Sequence, residues 1–171
     1  MALKYKVVRF FAYWLEIFIF SIIIQSPNLI PTFYGMKPDI LIPIAFSIAL
    51  IEGERVGFIH GLLIGFLMDI SLFGHLGFYT ISVAIFCYLV GKISRNIINN
   101  NIASSLVVCF VSVILFIFTE FLFLYLFKGY KNLNYALLYR YLPKLGYTSI
   151  FVPVMYFFNR AIGANIREKN K

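Results

Sequence analysis

The sequence predicts an all-α polytopic membrane protein with six transmembrane helices, and three observations carry that prediction. Of its 171 residues, 61% are hydrophobic and only 13% are charged, against about 25% charged in an ordinary soluble domain. The apolar residues fall into long runs separated by short polar or breaker-rich stretches. Six spans of about 20 residues use about 120 residues and leave about 50 for loops and tails. Residues 1–171 therefore read as one integral membrane domain with no separate soluble module.

The first span is expected at 7–24, ending in the breakers Gln25-Ser26-Pro27-Asn28. Arg9 and Glu16 interrupt its apolar run and no A-x-A-like site follows, so it does not read as a cleavable signal. The second, 38–51, opens on Pro38-Asp39, because proline suits a first helical turn and an acid suits a helix N-terminus. A charged turn, Glu52-Gly53-Glu54-Arg55, leads into the third span at 56–73 and then a fourth at 76–90. The fifth, 102–127, has Glu120 as its only charge, and the sixth, 145–162, contains Pro153 and is expected to bend there. Spans two and four are short, which calls for tilting or burial against neighbours. The polar stretch at 128–144 is read as a loop.

Orientation follows from the cations. With the N-terminus in the cytoplasm, ten Lys and Arg lie inside and five outside, which favours cytoplasmic termini. The net charge of +8 is accounted for by this pattern, so nucleic acid is not an expected partner and the lipid bilayer is. The loop carrying Lys128, Lys131, Arg140 and Lys144 runs against the rule. Its cations are expected to meet an outer polar cluster of Asp39, Asp69 and Glu120, with Lys37 at the same level. For Asp69, an ionisable group at that depth reads as a functional candidate, with helix capping or pairing with a loop cation as the equal structural alternative. Glu16 is expected to face the interior or a partner.

Span three carries Gly57-x-x-x-Gly61-x-x-x-Gly65-x-x-x-Asp69. Residues four apart share a helix face, so the glycines carve a groove into which another helix backbone fits closely. Packing within the chain is favoured over a partner groove, and Ala84 is expected to lie off this contact.

Nothing in the chain reads as catalytic. Cys87 and Cys109 sit in apolar runs without C-x-x-C spacing, so no disulfide or metal site is expected. His60 and His75 lack any H-x-x-x-H spacing and read as structural. Tyr34, Tyr79, Tyr130 and Tyr147 near the loop ends suit interfacial belts. No cofactor is implied.

The order of motifs is distinctive. Pro38-Asp39-Ile40-Leu41 opens one span; after the charged turn, the glycine-striped span ends in Gly65-Phe66-Leu67-Met68-Asp69. Ile70-Ser71-Leu72-Phe73-Gly74-His75-Leu76-Gly77 follows, and the next span closes in Tyr88-Leu89-Val90-Gly91. This resembles the bacterial rod shape-determining protein family MreD, with Pro38, Asp39, Asp69, Gly74 and Gly77 as the family-like positions. The specific part covers 38–91, whereas the last two spans match in character only. The resemblance implies a non-catalytic subunit of the cell-wall elongation complex in the bacterial cytoplasmic membrane. It implies an MreC-like bitopic partner and, through it, MreB and the wall-synthesising glycosyltransferase and transpeptidase. It also implies the fold of the substrate-binding subunits of energy-coupling-factor transporters. A vitamin-type transporter subunit is therefore the alternative function. Against it, Ala12 is followed four residues later by Glu16, where such subunits carry an Ala-x-x-x-Ala docking motif.

Overall fold

A computed structural model describes residues 2–26, 29–32, 35–71, 77–97, 102–126 and 133–166. A helix occupies each of the six predicted positions: α1 (Ala2–Gln25), α2 (Leu41–Glu52), α3 (Glu54–Ser71), α4 (Phe78–Ile97), α5 (Ile102–Phe121) and, after the short α6 (Leu133–Ala136), α7 (Leu142–Asn165). All elements among the described residues are helical. α5 runs on into a π-helical turn, Leu122–Leu126, and a second π-helical turn, Leu137–Tyr141, joins α6 to α7.

Residues 133–141 thus correct the expectation of a loop up to 144. The polar residues there alternate with leucines and tyrosines that can follow a helical face. Ala136 and Tyr141 are buried while Tyr135, Leu138, Tyr139 and Leu142 are exposed. The π turn stops just before Pro143, in the first turn of α7, whose missing N–H and ring disturb an α-helical ladder. α2 begins three residues later than expected, at Leu41. Pro38 and Asp39 form its approach, not its first turn.

The bundle is built around α2. Every residue from Leu41 to Leu50 is buried, and α2 touches α1, α3, α4, α5 and α7. At about 1.5 Å per residue its twelve residues span roughly 18 Å, well short of the ~30 Å hydrocarbon core. A helix that meets no lipid has no thickness to match, which is why so short a span is tolerated.

The outer surface of the bundle is apolar like its core, unlike that of a soluble protein. Large apolar side chains face outward on every long peripheral helix, with Leu15 65%, Ile22 67%, Ile81 62%, Val107 60% and Ile150 66% exposed. Glu16, His60, Asp69, Glu120 and Asn159 are buried. Outward apolar side chains of this number suit contact with lipid or with a partner. α1 from Tyr5 and α5 through Tyr125 are each long and apolar enough to cross a membrane.

Candidate functional site

The sequence-predicted glycines form a seam between helices. Packing of α3 on α4 is the most extensive helix contact in the molecule. A methyl group built on Gly65 would lie 2.4 Å from the Tyr79 carbonyl oxygen and 2.5 Å from Thr80 Cα. On Gly61 it would lie 3.0 Å from Ala84 Cα and from Cys87, and on Gly57 it would lie 2.7 Å from the Ala49 methyl. The stripe therefore faces α4 through two glycines and α2 through the third. Ala84 is not off this contact; it is the surface on which Gly61 rests. Gly91 on α4 repeats the device against Gly53 and Glu54, a pairing that spacing within span three could not reveal.

At the end of the bundle where α2 begins, Lys144 is buried between two carboxylates. Its ammonium lies 2.6 Å from Asp39 Oδ2 and donates to Glu120 Oε1 and Oε2 at 2.7 and 2.8 Å. The Tyr79 hydroxyl donates to Glu120 Oε1 at 2.8 Å, and the Asp39 backbone N–H donates to the Thr148 hydroxyl at 3.1 Å. One ammonium thus ties α7 to the approach of α2 and to the end of α5, with α4 joined through Tyr79. Tyr79 is 2% exposed, which corrects its expected place in an interfacial belt.

Asp69 and Arg140 stand apart from this cluster. Asp69 turns to the N-terminus of α4, where Oδ1 accepts from the Tyr79 N–H at 3.1 Å and Oδ2 from the Thr80 N–H at 2.9 Å and the Thr80 hydroxyl at 2.5 Å. The residue before α4 is Gly77, with φ +94°. It has no side chain to satisfy the free N–H groups of the first turn, so α3 supplies the cap from Asp69, with the helix dipole balancing the charge. Arg140 is exposed and forms no ion pair with the described carboxylates. Lys128, Lys131, Gly74 and His75 lie outside the described residues. Lys37 does not join the carboxylates either; its ammonium donates to the Ile24 and Ser26 carbonyls, both at 3.2 Å, and closes the end of α1.

The opposite end of α2 carries a second ion cluster. Arg9 on α1 lies 2.8 Å from Glu52 Oε2, and the Tyr13 hydroxyl donates to Glu52 Oε1 at 3.1 Å. Glu16 lies seven residues beyond Arg9 in the chain. Their seven-residue separation does place both on the inward face of α1, but Glu52 is the carboxylate within reach. Further in, Asn159 Nδ2 donates to the Ser47 hydroxyl at 2.7 Å, and that hydroxyl donates to the Ile44 carbonyl at 2.9 Å. Glu16 lies buried beside Asn159. His60 is fully buried, its Nδ1 2.8 Å from the Val56 carbonyl and its ring edge-on to Phe10 and Tyr13. Cys87 and Cys109 are free and buried.

Chemically, both clusters hold helices together. Asp39, Glu120 and Glu52 are each engaged by a cation or a hydroxyl, whereas both carboxylate oxygens of buried Glu16 have no hydrogen-bond partner among the described residues. No group of three or more metal-ligating side chains occurs among the described residues.

No curated protein and no solved structure matches the chain. The family model for rod shape-determining protein MreD does match, over residues 5–162. The match takes in both ion clusters, the Asp69 cap and the whole glycine seam, and the chain belongs to the MreD family of rod shape-determining membrane proteins.

Proposed function

We propose that the chain is a non-catalytic, multi-pass subunit of the rod-shape complex in the bacterial cytoplasmic membrane, with both termini in the cytoplasm. It binds an MreC-like bitopic partner and through it supports peptidoglycan synthesis by the glycosyltransferase and transpeptidase that work with MreB. The proposed fold is that of the substrate-binding subunits of energy-coupling-factor transporters. The observation that carries this reading is the family match over nearly the full chain. The geometry supports it, because Lys144, Asp39, Glu120, Arg9, Glu52 and the seam glycines are used to fix helices against each other. With the seam filled by α2 and α4, the partner is left the outward faces of the bundle.

A tagged copy in a rod-shaped host tests the reading. Depletion should round the cells, and recovery from native membranes should bring down a bitopic wall-elongation protein. Recovery of a transport ATPase instead, with a vitamin bound to the purified chain, would replace it with the transporter reading. Gly61→Leu separates the uses of the seam: internal packing predicts loss of the protein from the membrane, with partner recovery per remaining molecule unchanged. For topology, Asn132→Cys should react with an impermeant thiol reagent in intact cells, while buried Cys87 and Cys109 stay silent.

A further inference from the structure

The ion cluster around Lys144 does not balance. Among the described residues, two carboxylates, Asp39 and Glu120, share a single ammonium, so this described set carries one excess negative charge. Asp69 draws on separate donors and contributes no cation. Beside Asp39 lies a partly open cavity of about 60 Å³, between the end of α1, the start of α2 and the end of α3. Its polar lining is Ser21, Gln25, Asp39 and Ser71, over an apolar floor that includes Leu41 and Met68. A water needs roughly 10–15 Å³ of such space, so the cavity has room for a small polar group of a few heavy atoms.

Three features narrow the occupant. The excess charge calls for a cation beside Asp39, and the cavity is the space available to it. The Ser21 oxygen already accepts from Gln25 Nε2 at 3.0 Å, and the Ser71 hydroxyl donates to the Leu67 carbonyl at 2.8 Å. Each hydroxyl oxygen keeps a lone pair and the Gln25 amide oxygen is a further acceptor, which suits an ammonium with three N–H donors. Lys37 sits on the same end of α1, with two of its three N–H groups on the carbonyls of Ile24 and Ser26. Its position supplies a positive charge for an anionic group outside the cavity. The flanking helix faces carry exposed Ile22 and Ile70, so the cavity lies where helix ends meet the headgroup layer. A zwitterion with ammonium inward, phosphate outward and acyl chains along the apolar faces fits all three.

We propose that this cavity seats the ammonium of a phosphoethanolamine lipid headgroup, with Asp39 as its counter-ion and Lys37 beside its phosphate. The lipid completes the charge balance of the Lys144 cluster and is bound one per chain. The site does not depend on which protein the chain assembles with.

Native mass spectrometry of the full chain, released from nanodiscs of equal phosphatidylethanolamine, phosphatidylcholine and phosphatidylglycerol, tests this directly. One phosphatidylethanolamine should be retained at least about tenfold over phosphatidylcholine, whose three methyl groups remove the N–H donors, since charge-assisted hydrogen bonds are worth that much or more. Ser21→Leu fills the cavity without touching Asp39 or Lys144. It should abolish the preference, and it should lower the lipid-free melting temperature modestly because Gln25 Nε2 loses its acceptor. Asp39→Asn should weaken retention about tenfold. Equal retention of the three lipids by the unaltered chain overturns the proposal without reference to any variant. Preference for phosphatidylglycerol overturns it as well, as does a phosphatidylethanolamine preference that survives in Ser21→Leu. Soluble phosphoethanolamine binding as tightly as the lipid would assign the site to a free amine and overturn the lipid assignment.

Discussion

The two ends of α2 are held by ion pairs of opposite design. At the Asp39 end one cation is enclosed by two carboxylates, with the Lys144 side chain 13% exposed and that of Glu120 5% exposed. At the Glu52 end one carboxylate collects one cation and one hydroxyl, with Arg9 near the start of α1. The first joins helices distant in sequence, and the second fastens α1 to the helix nearest it in the chain. The difference is one of consequence. Removing the central cation strands buried Glu120 and half-buried Asp39, whereas removing Arg9 leaves one acid still bonded to Tyr13. The two cations are about equally shielded, with the Arg9 side chain 14% and the Lys144 side chain 13% exposed, so the contrast lies in how many acids each cation serves.

The largest effect should come from Lys144→Met. Breaking a buried pair typically costs about 3–5 kcal/mol, because the remaining charge has no compensation. Thermal melting in detergent should drop accordingly, and adding Glu120→Gln should recover part of the loss. A wild-type melt in Lys144→Met would dissolve the contrast. Arg9→Met should cost about 1–3 kcal/mol, the price of a single weakened buried acceptor, and should loosen α1 selectively. Protease sensitivity near residues 26–40 should rise before the melt of the remaining bundle changes. Asp69→Asn comes next at about 1–2 kcal/mol, the usual range for a lost helix cap, because one carboxylate oxygen becomes an NH₂ facing donors. Amide exchange should speed up at Tyr79 and Thr80 and leave the rest of α4 protected. The smallest pair sharpens the comparison most. Tyr79→Phe and Tyr13→Phe each remove one hydroxyl donor, for about 0.5–1.5 kcal/mol. Tyr79→Phe should cost more, since Glu120 is surrounded by protein, and equal losses would show that the two ends are equally solvated.

How much of this was legible follows from what each residue needs. Apolar runs and breakers set all six helix positions, because burial in lipid leaves little else for a run of apolar residues to do. The glycine stripe announced a close helix contact, but its partners belong to other spans: the facing Ala49 and Ala84 are unremarkable as letters. Asp39, Glu120 and Lys144 were read as one group because an acid and a cation at similar depth seek each other. Asp69 was included for the same reason. It left the group because Gly77 cannot cap α4, a need visible only once the turn brings α3 and α4 together. Glu52 and Tyr13 were missed as a site because a charged turn and an aromatic in an apolar run carry no signal of their own. The helical stretch 133–141 was missed because its polar residues hid the leucines and tyrosines between them.

The burial of α2 has a consequence for how the chain is made. A growing polypeptide delivers its helices to the membrane in order, and α2 arrives long before α5 and α7, which complete its surroundings. Only Gly53 separates it from α3, so the two are positioned to enter as a hairpin, already zipped at Gly57 against Ala49. Asp39 and Glu120 are both synthesised before Lys144. Until then the acids wait without their cation, and closing the bundle is an event reserved for the last helix. Ribosome-stalled chains ending before residue 144 should therefore be held by insertion factors or degraded, and chains that extend beyond α7 should be released.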